Sequence, residues 1–263
     1  MPDKSILKYF SEIYENRHIL HQLVRQQIIL RYRRTIFGYL WTLLNPLLMM
    51  SVTAVVFSTI FNMDLKTYAI FLFSGVIAFN LFGTTVTQSG QSLIGNEQLI
   101  KKIYIPKLLF PLAVSSALLI DSLLMASSLF IIILAIGGKL TFSLLFILPA
   151  YLLLFAFSFG LALVFSISAV YFRDLQHVIG IVMQALIFLS PVYYKPESLS
   201  GKVAWIIKLN PLTQFIELFR APIYQGVLPA TAVVMQATLY ACLSLMVGLW
   251  FFRKHEHQVA FRM

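Results

Sequence analysis

The chain has 263 residues, 59% of them hydrophobic and only 11% charged, with a mean hydropathy of +0.84. A soluble domain is about half apolar and about a quarter charged, so too few polar residues remain here to cover a water-soluble globule. The 20 Lys and Arg against 10 Asp and Glu fall in clusters between apolar runs, as in the loops of a membrane protein, and this argues against a nucleic-acid partner.

Residues 1–34 come first, a polar-apolar segment in which Ile6, Phe10 and Ile13, then Leu20 and Val24, recur at helical spacing while Arg17, Arg25 and Arg31 punctuate it. Such a segment predicts an amphipathic helix lying on the membrane surface. Two readings are open for it, a lipid anchor and a docking surface for a cytosolic partner. No cleavable signal peptide is expected, because the first long apolar run starts only after Arg34.

A helix needs about 20 apolar residues to cross the hydrocarbon layer, and six runs qualify: residues 35–63, 67–96, 108–138, 140–172, 175–194 and 229–252. Asp64 and Lys66 mark a short turn between the first two, and Gly137, Gly138 and Lys139 break the third from the fourth. The fold class predicted is therefore an all-α integral membrane protein with six transmembrane helices forming a single transmembrane domain over residues 1–263. Residues 195–228 hold two apolar pieces, "VAWIIKL" and "TQFIELF", each too short to cross. They read as a re-entrant helical pair in the outer leaflet, with Asn210 as N-cap and Pro211 as the first helical residue. Residues 253–263 are then a cytosolic tail. This topology puts fourteen Lys and Arg on the cytosolic side and six outside, so both termini are expected in the cytosol.

Between the second and third runs, "GNEQLIKKIYIPK" leaves room for one short helix carrying Glu97, Lys101 and Lys102 between Gly95 and Pro106. A helix this short gains little stability alone, so headgroups or another protein must order it. Asp121 is the one acid deep in a run. It reads either as a functional group facing a cavity or partner, or as a carboxyl bonded to neighbours such as Ser115 or Ser122. Tyr39 and Trp41 near the start of the first run, and Tyr193 and Tyr194 at the end of the fifth, stand where interfacial aromatics are expected, and aromatic faces also stack on sugar rings.

Cys242 is the one cysteine, His18, His21 and His177 are scattered, and His255 and His257 flank Glu256 on the tail, where they are read as solvated. No metal site and no disulfide framework are expected. The chain has neither a GxxxxGK[ST] phosphate loop nor a GxGxxG fingerprint, so it is read as a non-enzyme whose energy comes from a partner. The competing classes are a membrane-embedded enzyme of glycan or lipid assembly, which would carry clustered acids or histidines, and an exporter of drugs or other lipids.

Four stretches, residues 25–61, 99–121, 171–194 and 209–220, resemble the membrane permease subunit of type-2 ATP-binding-cassette exporters. Within that family the resemblance is to the branch that exports lipid-linked polysaccharides such as O-antigen, capsule and teichoic acid. The resemblance implies a homodimer with the pore between two permeases, and two copies of a cytosolic ATPase that binds ATP and Mg. The cargo would be an undecaprenyl-pyrophosphate-linked polysaccharide, most of all O-antigen, crossing the bacterial cytoplasmic (inner) membrane. It makes residues 1–34 an interface helix and residues 96–104 a coupling helix, with Asn96, Glu97, Gln98, Leu99, Lys101, Lys102, Ile103 and Tyr104 facing the ATPase. Arg31, Arg33 and Arg34 stand near the substrate entrance, where two readings are open: attraction of the pyrophosphate, or positive-inside residues that bind anionic lipid. Tyr39, Trp41, Asn45, Pro46, Phe57, Phe188, Tyr193 and Tyr194 become pore or aromatic lining. Residues 196–224 become an external gate built around Pro196, Trp205, Asn210, Pro211, Glu217 and Arg220. Asp121 remains the intramembrane acid, no residue is catalytic, and membrane lipids are the further partners.

Overall fold

A computed structural model describes residues 6–32, 35–135 and 141–262. Arg33, Arg34 and Lys139 lie outside them. The N-terminal segment forms two helices, α1 (Ile6–Glu15) and α2 (Arg17–Tyr32). Asn16 makes the joint, its side-chain amide donating to Glu12 O at 2.8 Å. Leu23 of α2 is buried, with Ile19, Leu20 and Val24 beside it against the bundle core, so α2 is seated on protein as well as presenting a polar face.

Among the described residues, five helical stretches are long and apolar enough to cross a membrane: Gly38–Ile60, Leu65–Ile94, Leu109–Ile131, Phe142–Tyr171 and Thr231–Val259. They contain α3 (Trp41–Ile60), α4 (Leu65–Ile94), α6 (Leu109–Ala135), α7 (Ile147–Tyr171) and α11 (Thr231–Arg262), with the six-residue α5 (Glu97–Lys102) between α4 and α6. Asp64 starts α4 by accepting from Thr67 N at 3.1 Å, which fits the short turn read there. The run expected as a fifth span is α8 (Leu175–Leu189). Its 15 residues reach about 22 Å, short of a hydrocarbon core of about 30 Å.

The early end of α8 has a local cause. Pro191 cannot extend the ladder, and a helical hairpin, α9 (Gly201–Leu209) and α10 (Pro211–Arg220), satisfies the carbonyls left over. Asn210 Nδ2 donates to Leu189 O at 3.1 Å, and Arg220 Nη2 donates to Pro191 O at 2.7 Å and Val192 O at 3.3 Å. Asn210 also caps α10, accepting from Leu212 N at 3.0 Å with Pro211 next in line, as the sequence predicted. The two halves of the hairpin differ. Trp205 on α9 is exposed, whereas Leu212, Phe215, Ile216, Leu218, Phe219 and Arg220 of α10 are all buried.

Helix α4 is the axis of the bundle, almost wholly buried between α6, α7 and α10. A stack of rings, Phe82 on Phe157 at 5.6 Å and Phe157 on Phe215 at 4.6 Å, ties α4 to α7 and α10. Helices α7 and α11 touch backbone to backbone. A Cβ on Gly248 would lie 2.2 Å from Gly160 O, and one on Gly160 would lie 2.3 Å from the Ser244 carbonyl carbon. Ser244 Oγ donates across the pair to Phe157 O at 2.7 Å. Small residues that admit a neighbouring backbone, with a hydroxyl bond across, are how helices associate where lipid removes the hydrophobic drive.

The residues expected as a loose tail continue α11 to Arg262. His257 is exposed and His255 half-buried, while Glu256 and Val259 beside them are buried; Lys107 Nζ donates to Glu256 O at 2.6 Å, and Tyr171 OH donates to Gln258 Oε1 at 2.7 Å. The hydrophobic period of α11 runs on through its charged last turns to Val259, and Phe252 and Val259 pack with Leu93, Ile105, Leu108 and Val170 at the end of the bundle where α2 and α5 also lie. This is the basic end of the bundle, where Lys101, Lys102 and Lys107 lie.

Candidate functional site

A cavity of about 750 Å³ opens along the faces of α3, α4 and α6, with Ile187 and Tyr193 lining one side. Its lining follows helical spacing: Trp41, Asn45, Met49 and Thr53 on α3, and Leu72, Val76, Asn80, Thr84 and Gln88 on α4. Each set repeats every four residues, so each forms one stripe. The α4 stripe turns from apolar to polar toward the basic end.

Arg31 of α2 reaches into this polar half and pairs with Asp121 of α6, while its second nitrogen donates to Gln88 Oε1 at 2.9 Å. Tyr39 OH donates to the other carboxylate oxygen of Asp121 at 2.8 Å. Asp121 is 9% exposed, and an unpaired carboxylate there would be costly. The pair with Arg31 offsets that cost and fastens α2 to α6. The neighbours expected for Asp121 are turned elsewhere: Ser115 donates to Pro111 O at 2.8 Å and Ser122 meets Tyr151 OH at 3.1 Å. Ser115 is six positions back, on another face of the helix. The true partners come from α2 and the turn just before α3, which local sequence cannot show.

Of the residues expected to line a pore, Trp41, Asn45, Pro46 and Tyr193 line this cavity. Phe57 lies a turn beyond, stacked on Tyr193 at 5.4 Å. Phe188 contacts Tyr193 but is 65% exposed on the outer surface, and Tyr194 OH donates to Phe188 O at 2.8 Å. Tyr39 serves the Asp121 pair. Asn80, Thr84 and Gln88 were not singled out from sequence; their signal was polar residues at four-residue spacing inside an apolar run.

The helix read between the second and third runs is α5. Asn96 Nδ2 donates to Ser92 O at 2.8 Å, and Lys101 Nζ pairs with Glu97 Oε1 at 2.6 Å. That hydrogen bond, reinforced by the lysine charge, holds the Glu97 carboxyl below its ordinary value. Leu99 and Ile100 turn inward onto the cluster holding Phe252 and Val259, while Gln98, Lys101 and Lys102 face outward. Ile103 and Tyr104, expected inside this helix, leave it. Ile103 is extended at φ −134°, ψ 148°, and both side chains are exposed. Pro106 biases Ile105 toward extended backbone, so the helix cannot run on to it.

In the hairpin region Pro196 opens a short 3₁₀ turn, and Glu217 Oε1 accepts from Gln225 Nε2 at 3.1 Å. Arg220 is buried, its guanidinium 3.8 Å from the Phe71 ring centre, so it serves packing under the hairpin rather than its outer surface.

These helices define a multi-pass membrane protein with a polar-lined cavity and an exposed short helix at its basic end. The chain belongs to the ABC-2 type transporter family, whose model matches residues 19–224. It is 28% identical over 246 residues to an O-antigen export system permease protein, RfbA, of Klebsiella pneumoniae, covering 92% of this chain and 93% of that protein. It is 26% identical over 248 residues to RfbA of Myxococcus xanthus (91% and 95% covered). It is also 23% identical over 248 residues to the polysialic acid transport protein KpsM of Escherichia coli (89% and 92% covered).

Proposed function

We propose that this chain is the transmembrane subunit of an ATP-driven exporter that moves an undecaprenyl-pyrophosphate-linked polysaccharide, O-antigen first among the candidates, across the bacterial inner membrane. The observation that carries this reading is similarity along nine-tenths of the chain to permeases of O-antigen export systems. Two copies form the pore between them, and two copies of a separate ATPase supply the ATP and Mg chemistry. Helix α8 crosses with its ends thinned or covered by the hairpin, which makes six crossings and leaves both termini cytosolic. The α9–α10 hairpin is the external gate.

Helix α5 docks on the ATPase through its outward Gln98, Lys101 and Lys102, together with the extended Ile103 and Tyr104. When ATP closes the ATPase dimer, α5 is pushed, and its inward Leu99 and Ile100 pass the push to α2 and the end of α11. Arg31, Arg33 and Arg34 meet the pyrophosphate at the entrance. The test is copurification with the ATPase encoded beside this gene, for the wild type and for the triple variant Glu97→Ala, Lys101→Ala, Lys102→Ala. The wild type is expected to hold the ATPase and the variant to lose assembly or ATP turnover. An intact wild type that captures no ATPase overturns the exporter reading.

A further inference from the structure

Four parts of the chain meet at the Arg31–Asp121 pair. Arg31, next to the last residue of α2, pairs with Asp121 of α6 and donates to Gln88 Oε1 of α4 at 2.9 Å. Tyr39 OH, in the 3₁₀ turn Gly38–Leu40 that leads into α3, donates to Asp121 at 2.8 Å. The side chain of Asp121 is 11% exposed and that of Arg31 26%, so the carboxylate is enclosed while the guanidinium keeps an open side. Such a pair has a property that an apolar contact lacks, because its cation can be taken by another anion. A diphosphate brings more charge than a carboxylate and grips a guanidinium in the same two-pronged way. Leaving either charge unpaired at this depth is costly, so Arg31 changes partner only when the second anion is in place. Asp121 then keeps its Tyr39 hydrogen bond but faces that anion, and like-charge repulsion pushes α6 away from α2. Helix α2 is seated by Ile19, Leu20, Leu23 and Val24 on the cluster that also holds Leu99 and Ile100 of α5, so a shift at its Arg31 end is carried to the basic end.

We infer that Asp121 is an internal stand-in for a phosphate headgroup: it latches α2 to α6 while the entrance is empty and is displaced from Arg31 when a phosphate group arrives. This latch rests on the exporter reading and deepens it, since arrival of cargo is signalled by an exchange of anions at Arg31. Asp121 is a positioning residue, acting through Arg31.

The test uses the full chain with its ATPase in phosphatidylcholine nanodiscs, with undecaprenyl pyrophosphate, undecaprenol and inorganic pyrophosphate as probes at constant free Mg. The readouts are ATP turnover and the labelling of Asp121 by dicyclohexylcarbodiimide, measured by mass spectrometry against Glu97. In the wild type, undecaprenyl pyrophosphate is expected to raise both by about fivefold, the population shift that release of a partly exposed ion pair allows. Undecaprenol is expected to raise neither. A response to undecaprenyl pyrophosphate alone makes a lipid headgroup the displacing anion, and an equal response to inorganic pyrophosphate makes it any phosphate. Asp121→Asn, with no competitor left, is expected to turn over about fivefold faster without lipid and to respond at an about fivefold lower fraction of undecaprenyl pyrophosphate. Asp121→Glu is expected to return both to the wild-type range. A pair that only held the fold would give a weaker lipid response when cut. Wild-type labelling that undecaprenyl pyrophosphate leaves unchanged or lowers, or an equal response to undecaprenol, overturns the latch. So does a weaker lipid response in Asp121→Asn, and the wild-type labelling decides even where that variant fails to assemble. ATPase capture by a wild type whose Asp121 is never released sinks only the latch, whereas absence of ATPase capture sinks the exporter reading.

Discussion

Two residues show how single side chains hold this bundle together. Arg220 Nη2 serves the carbonyls of Pro191 and Val192 while its guanidinium lies on Phe71, so the turn that follows α8 is satisfied by a residue 28 or more positions away. Arg220→Met keeps the bulk but strands both carbonyls, each worth about 1–3 kcal/mol when buried and unpaired. The apparent thermal midpoint in detergent is expected to fall, and an unchanged midpoint would mean that the carbonyls find other partners. Gly248 acts in the opposite way, by having no side chain. Its missing Cβ leaves room for Gly160 O at 2.2 Å from where that Cβ would be. Gly248→Val forces α7 and α11 apart and is expected to destabilise by on the order of 3 kcal/mol, measured as earlier thermal aggregation than the wild type.

At the scale of elements, α5 is too short to stand by itself and is ordered from two sides, by Leu99 and Ile100 beneath and by the Glu97–Lys101 pair above. The folded carboxyl of Glu97 titrates below its ordinary 4.5, first because Lys101 donates to it and then because of the lysine charge. A depressed acid adds its support above the unfolded value and loses it as pH falls through the folded one, so the pair is whole at neutral pH and opens only on strong acidification. NMR titration of labelled Glu97 in the full chain is expected to give a midpoint below 4.5, and Lys101→Ala to return it to the ordinary value. A midpoint already ordinary in the wild type would remove the pair from the account of α5.

For the whole molecule the open question is the path of the chain through the membrane, because α8 is shorter than a full crossing. Six crossings place α9 outside and both termini inside. In a Cys242→Ser background, Ser200→Cys is then expected to react with a membrane-impermeant maleimide in intact cells, and His257→Cys only after permeabilisation. Five crossings would reverse both results. The packing of Phe252 and Val259 of α11 makes the basic end one packed body of α2, α5 and α11. Val259→Asp, which buries a carboxylate among apolar side chains, is expected to weaken ATPase capture while leaving membrane insertion intact.

Much of this protein was legible because the membrane imposes its own period and length. Five of the six apolar runs form helices long enough to span, Asn210–Pro211 starts a helix, and the short charged stretch between Gly95 and Pro106 holds a small one. The clustered cations pointed to one basic end for the same reason. Only the tertiary structure decided which helices meet. The partner of Asp121 comes from 90 positions away, and Asn80, Thr84 and Gln88 become a cavity wall only because α4 turns that stripe toward α3 and α6. Arg220 goes inward although its charge reads as surface, and the last turns of α11 pack although they read as tail. In each case the deciding contact spans distant parts of the chain, where hydropathy records that a residue dislikes lipid but not which neighbour relieves it.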